Sequence, residues 1–313
     1  MEWLKNMCIL KTENLNKRVT DAFGLKDINL QINEGEFVSI IGQNGAGKTT
    51  LLRILSGLSK FDSGKVTICN IPINKSRKVN QYLGIVQQSK GMPDTLTVEE
   101  YIKFQSRLRS ADPNLLNKLI DTFDIKKFYN QQLSTLSGGN LRKLHIMIAI
   151  MHNPKIVIMD EPTVGLDPVV RNDMWNFIKE LKKIGISVLI STHYLDEAEA
   201  LGDKIIILNN GEIVNSGNVE DVKKEYAKDY GLTIEFVDKE EAEKFINIIN
   251  DLKIPFVKSV SSMLNVVKVY TDVLEYSYLP RLVGFIKEYS LKITGIEFFK
   301  LTLEEILLAI GEN

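Results

Sequence analysis

The stretch IGQNGAGKTTLLRIL, from Ile41 to Leu55, constrains this chain more than any other. Three glycines and a lysine stand there between strand-forming residues and a segment with helical spacing. A loop so poor in side chains packs against little, and its use is to let something approach the main chain closely. The spacing G-x-x-x-x-G-K-[ST] is met by Gly42, Gly47, Lys48 and Thr49, with a strand before and a helix after. Backbone N–H groups of such a loop point into a concavity that holds phosphates, reinforced by the helix N-terminus. Gln43, Asn44, Gly45, Ala46 and Thr50 complete the loop. Lys48 would neutralise the β and γ phosphates, and the Thr49 hydroxyl would ligate Mg²⁺. The competing reading is a glycine turn of purely structural purpose.

A nucleotide site needs a second handle for the metal, and KIVIMDEP supplies one. Four apolar residues of a buried strand end at Asp160, whose carboxylate would hold Mg²⁺ directly or through water. Glu161 follows at the strand end, placed to act as general base for an attacking water. Two acids at a solvated strand end are the bland alternative. In LSTLSGGNLRKLHIMIAIMHN, Ser137, Gly138 and Gly139 precede a helix and form a second anion-binding helix N-terminus. Alone, that triplet is an N-cap with a flexible lead. Here it lies about ninety residues after the phosphate loop and about twenty before the acidic strand end.

Residues 7–41 carry strand periodicity, with Gly35 in a turn, and Lys48–Leu58 reads as a helix ending at Gly57. Further strands are expected at 64–70 and 81–88 and a mostly helical stretch at about 95–135, opened by a Thr97/Glu100 capping box. Helices and strands then alternate, and the apolar runs Ile156–Met159 and Val188–Ile190 are continuous. Continuous runs fit central parallel strands covered on both faces, hence an α/β fold. From about residue 230 the order becomes β-α-β-β-α-β, a small ferredoxin-like module, closed by LTLEEILLAI and joined through residues 221–231.

GQNGAGKTT, LSGGN, IVIMDEPTVGLDP and STHYLDEAEAL, in that order and spacing, resemble the nucleotide-binding subunits of ABC transporters. The resemblance covers residues 7 to about 218, and is nearest to the type-2 ABC exporters through TVGLDP, THYLDEAEALGDKIIILNNGEIVNSG and the closing TLEEILLAI. It implies a P-loop ABC-ATPase fold, a mixed or parallel sheet with a helical subdomain at about 90–145, in a domain spanning 7–220. A C-terminal α+β domain would span 230–313. It also implies ATP and Mg²⁺ as cofactors. Gln88 would sense the γ-phosphate and metal and face the membrane partner, with Gln87 as the fallback. Ser137, Gly138 and Gly139 would clasp the γ-phosphate of an ATP held by another subunit, and Asp167 would reach across the same boundary. His193 would bind the γ-phosphate and orient the water. The expected assembly is a head-to-tail homodimer around two ATP molecules, attached to an integral-membrane permease. The signature ends in Asn140 where the family usually has glutamine, and Val19 stands where an adenine-stacking tyrosine is usual, with Phe23 as the replacement.

Composition narrows the alternatives. Lys+Arg number 39 and Asp+Glu 40, so no global charge favours nucleic acid or an anionic membrane. Neither a signal peptide nor an apolar run of the roughly 20 residues needed to span a bilayer is read. A peripheral protein on the cytoplasmic face of the membrane is expected. The rival is a soluble ABC-type ATPase acting on ribosomes or nucleic acid. The two cysteines, Cys8 and Cys69, read as small buried hydrophobes. His145 and His152 read as surface or packing histidines and Trp175 as core. Asp196, Glu197 and Glu199 read as an exposed helix face.

Overall fold

The computed structural model describes residues 7–86, 93, 95–226, 230–252, 257, 259–271 and 284–300. A first compact unit, Met1–Val219, opens with the antiparallel pair β1 (Cys8–Arg18) and β2 (Gly24–Asn33). Then come β3 (Phe37–Ile41), α1 (Lys48–Leu55), β4 (Ser63–Ile68), β5 (Ile71–Pro72), α2 (Ser76–Val79) and β6 (Leu83–Val86). Helices α3 (Val98–Leu108), α4 (Pro113–Thr122) and α5 (Gly138–Ile150) follow, and β7 (Ile156–Asp160), α6 (Pro168–Lys183) and β8 (Ser187–Thr192) continue the chain. The unit finishes with α7 (Leu195–Leu201), β9 (Lys204–Asn209) and β10 (Glu212–Asn218).

Its main sheet runs β10-β9-β3-β8-β7-β6, parallel except for the β9–β10 hairpin. Side chains alternate across a strand, so a strand covered on both faces must be apolar throughout. Met159, Val157, Val188, Ile190 and Phe37 face a core shared with α5 and α6, including Leu144, Met174 and Ile178. Ile156, Ile158, Leu189, Val38 and Ile40 face the opposite core, where Leu51, Leu52, Ile54 and Leu55 of α1 meet a second sheet. That second sheet is antiparallel, in the order β2-β1-β4-β5.

Local signals fix the helix ends. Thr97 Oγ1 accepts from the Glu100 N–H while Glu100 Oε2 accepts from the Thr97 N–H, the capping box expected from the sequence. Ser56 caps α1 and Gly57 follows with φ +70°. The helical stretch between β6 and β7 buries Tyr101, Ile120, Phe123, Ile125 and Phe128 in the α5/α6 core. A ring pair, Phe123 on Phe177 at 3.9 Å, joins it to α6.

The strand order determines where chemistry can occur. β3, β8 and β7 are neighbours, and register places Ile41 beside Thr192 and Ser191 beside Asp160. The loop after β3, the acids after β7 and the segment after β8 therefore emerge side by side at the carboxyl edge of the sheet, where α/β folds bind ligands.

The second compact unit is Glu220–Asn313. Helix α8 (Val219–Tyr226) occupies much of the stretch expected as a mere connection, and the unit continues with β11 (Tyr230–Phe236) and α9 (Lys239–Leu252). After β12 (Ser259–Met263) and β13 (Val266–Thr271), residues 284–288 are helical and precede β14 (Ile293–Lys300). The sheet is antiparallel throughout, in the order β12-β13-β11-β14. That order is the split βαβ arrangement of the ferredoxin-like fold. Leu232, Ile234 and Phe236 pack on Ala242, Phe245 and Ile249, with the Phe236 and Phe245 rings 5.1 Å apart. The closing segment, 301–310, lies outside the described residues.

The two thiols correct an expectation. Cys8 and Cys69 are free and half-buried rather than fully inside, and burial pushes both thiols above their ordinary range.

Candidate functional site

The loop between β3 and α1 presents main chain. Gly47 caps α1 in the left-handed region at φ +107°, without a side-chain cap, so the first N–H groups of the helix point outward unclaimed by one. A Cβ at Gly47 would meet Leu25 Cδ2 at 2.8 Å and Phe23 Cζ at 3.3 Å, so backbone angle and space both require glycine. Gln43, Asn44, Gly45 and Thr49 are exposed, while Ala46 is buried and Thr50 half-buried. Lys48 is only 6% exposed and curls over its own loop, donating to the carbonyls of Gly42 at 2.7 Å and Gln43 at 3.1 Å. Burial lowers its pKa, and the charges of Glu161 and Asp160 oppose that shift.

The acids after β7 meet this loop. Thr49 Oγ1 lies 3.4 Å from Asp160 Oδ1. Two hard oxygen donors so placed, one hydroxyl and one carboxylate, fit the oxygen-rich and partly hydrated shell that Mg²⁺ prefers. Ser191 of β8 donates to Asp160 Oδ1 at 2.5 Å and accepts from the Glu161 N–H at 3.1 Å. Glu161 has φ +46°, a conformation that costs a non-glycine residue of order 1–3 kcal/mol and persists only where neighbours enforce it. The carboxylate faces His193, Oε1 to Nδ1 at 3.2 Å. This contact leaves the other ring nitrogen of His193 on the far side of the imidazole.

His193 is itself braced. Its ring lies 4.2 Å from that of Tyr194, and the Arg171 guanidinium sits 4.0 Å over the other ring, paired at 3.7 Å with Asp196. Behind them is Glu197, fully buried and not on an exposed face as the three acids of α7 suggest. Its Oε1 accepts from Thr163 Oγ1 at 2.7 Å and Trp175 Nε1 at 3.2 Å. Burial raises the Glu197 pKa against the pull of these donors and of Arg171. Trp175, read as core, is half-buried and packs against the α5/α6 core.

Ser137, Gly138, Gly139 and Asp167 form a second cluster. Ser137 Oγ accepts from the Asn140 N–H at 3.4 Å and caps α5, and Asp167 Oδ1 accepts from the N–H groups of Val169 and Val170 and caps α6. A Cβ on Gly139 would strike Val170 Cγ1 at 2.6 Å, so the two helix starts pack directly together. Ser137, Gly138 and Asp167 remain exposed. Gln87 and Gln88 lie outside the described residues. Phe23 touches the phosphate loop through the Gly47 contact, while Val19 is 47% exposed. Burial pushes His145 down to about 4, and His152 Nε2 sits 3.3 Å from the Leu83 carbonyl, so both are packing histidines.

Sequence reasoning missed Ser191, Thr163 and the buried role of Glu197. Only Ser191 had an accessible signal, because it ends a strand adjacent to the one that ends in Asp160.

Comparison with known proteins gives the family of the chain. The ABC transporter family pattern matches residues 25–164. The linearmycin resistance ATP-binding protein LnrL of Bacillus subtilis is 34% identical over 219 residues, covering 68% of this chain and 70% of that protein. Human ATP-binding cassette sub-family A member 2 is 38% identical over 215 residues, 67% of this chain, which spans only 9% of its length. A solved ATP-binding cassette of an ABC transporter in its ADP conformation superposes with a TM-score of 0.64 at 28% identity, covering 71% of this chain and 95% of that one. The chain belongs to the ABC transporter family, as one of its ATP-binding cassette ATPases.

Proposed function

We propose that this chain is the ATP-hydrolysing subunit of an ABC exporter, driving a separate membrane permease by closing into a homodimer around two ATP molecules. The convergence of Lys48, Thr49, Asp160, Glu161 and His193 at one sheet edge carries this reading. The backbone of residues 42–49 would hold the phosphates, and Lys48 would release its loop carbonyls to reach them. Thr49 and Asp160, with Gln88, would hold Mg²⁺, which when bound screens the phosphate charge. Glu161 would take the proton of the attacking water, and His193 would orient that water and contact the γ-phosphate. Phe23, beside the loop, would contact the adenine.

Ser137, Gly138 and Asp167 face solvent beside the buried Gly139, a cluster that suits donors for a nucleotide held by a second copy. Loss of the bridging γ-phosphate would then open the dimer and move the attached permease. In this reading residues 7–220 are the motor, and 230–313 add to the dimer contact.

Export rests on similarity to a resistance protein and to sub-family A cassettes. A membrane partner is favoured by the surface of α3. A cleft of about 710 Å³ is lined by Leu58, Ile73, Ile85, Leu108 and Arg109. Leu108 is 68% exposed and Phe104, one turn before it, 55% exposed, an apolar edge suited to an amphipathic segment of a permease. No helix among the described residues is long and apolar enough to cross a membrane.

The test is affinity capture of the full chain, with ATP, from detergent-solubilised membranes of its source cell. A polytopic membrane protein in near-equal amount is expected, and Leu108→Asp should lose it while still binding ATP. Ribosomal or nucleic-acid proteins, captured equally by both forms, would instead support the soluble rival.

A further inference from the structure

We infer that Glu197 is a positioning residue for hydrolysis, a buried anchor tying the segment that carries Glu161 and Asp167 to the segment that carries His193. The inference rests on the reading of Glu161 and His193 as the hydrolytic pair.

An acid with no exposed surface is expensive to bury, and an apolar residue of similar volume would pack there at less cost. Packing alone therefore does not explain an acid at this position; its partners do. Thr163, which donates to Oε1 at 2.7 Å, lies two residues after Glu161 and four before Asp167. Glu197 itself stands four residues after His193, on the short helix that the His193 segment leads into. Arg142, on the helix capped by Ser137, lies within the field of the same carboxylate, as does Arg171 at the start of α6. One carboxylate thus joins the segment of Glu161 and Asp167, through Thr163, to the helix that follows His193.

The need for such an anchor is visible at Glu161. Its backbone sits in the left-handed region, held from the strand side by Ser191 through the Glu161 N–H. Downstream, Thr163 is the buried side chain that fixes the chain's exit, and it is fixed by Glu197. Without that bond the Glu161 carboxylate and the His193 ring would keep their identities but lose their 3.2 Å alignment. Misplacement of a reacting pair by about 1 Å costs up to about a hundredfold in rate. Trp175 supplies the contrast, because it bonds the same Oε1 from the middle of α6, which carries no site residue there.

The experiment measures kcat, KM for ATP and Tm of the full chain for Thr163→Val, Trp175→Phe, Glu197→Ala and Glu197→Gln, with Glu161→Gln as control. Thr163→Val and Glu197→Ala should lower kcat by about tenfold or more while KM moves less than about twofold. Glu197→Gln keeps an acceptor oxygen and should recover most of the lost kcat. Trp175→Phe should lower Tm yet keep kcat within about twofold. Wild-type kcat in Thr163→Val, or losses of kcat that track Tm equally in Thr163→Val and Trp175→Phe, would overturn the inference. Glu161→Gln separates the two levels. If it abolishes turnover while Thr163→Val is silent, only the anchor is wrong, and if it turns over normally, the hydrolytic pair itself is wrong and the anchor falls with it.

Discussion

Glu161→Gln should reduce ATP turnover by about two to four orders of magnitude while leaving ATP binding close to that of the wild type. The substitution removes one thing, a carboxylate able to accept a proton from water. The amide keeps the size of the side chain and an oxygen that can face His193 Nδ1, now at 3.2 Å from Glu161 Oε1. The left-handed backbone at φ +46° is imposed by Ser191 and the turn that follows, and glutamine suffers no more strain there than glutamate. Steady-state phosphate release together with equilibrium binding of a fluorescent ATP analogue checks both halves. Turnover at the wild-type rate would mean that the base lies elsewhere at this sheet edge.

Lys48→Ala should have the opposite signature, a loss of affinity first. Lys48 is the buried cation of the phosphate loop, and its ammonium donates to two loop carbonyls. Burial has already lowered its pKa, so it meets phosphate poorly hydrated and with little left to shed. Charge-assisted bonds of this kind contribute about 1.5–3 kcal/mol each. Two of them amount to about 3 kcal/mol at the lower figure, hence at least about a hundredfold in Kd for ATP by isothermal titration. The fold should survive, because the cores on the two faces of the sheet are built from other side chains. An unchanged Kd would place the phosphates outside this loop.

The site was largely legible where its chemistry is local in sequence. Gly42 to Thr49 form one turn, Asp160 and Glu161 end one strand, and Ser137 caps one helix, so spacing alone exposes them. The sheet was legible for a related reason: Ile156–Met159 and Val188–Ile190 are apolar at every position, and only strands covered on both faces need that. Glu197 was not legible. It lies on a seven-residue helix with three acids, too short for periodicity to separate an inward acid from an outward one. Its donors, Thr163 and Trp175, lie on other segments, 34 and 22 residues away in sequence. Helix α8 was likewise hidden, because VEDVKKEY is charged at most positions and its polar texture matches a linker as well as a surface helix.

In the proposed assembly one chain holds half of each of two sites. Light scattering of purified Glu161→Gln protein, with and without ATP and Mg²⁺, tests it most directly. A composite site requires a doubling of mass with ATP, to twice 35.5 kDa, and its loss in a Ser137→Arg variant of the same protein. A mass that stays at one chain with ATP saturating would contradict the composite site and leave each phosphate loop to work alone.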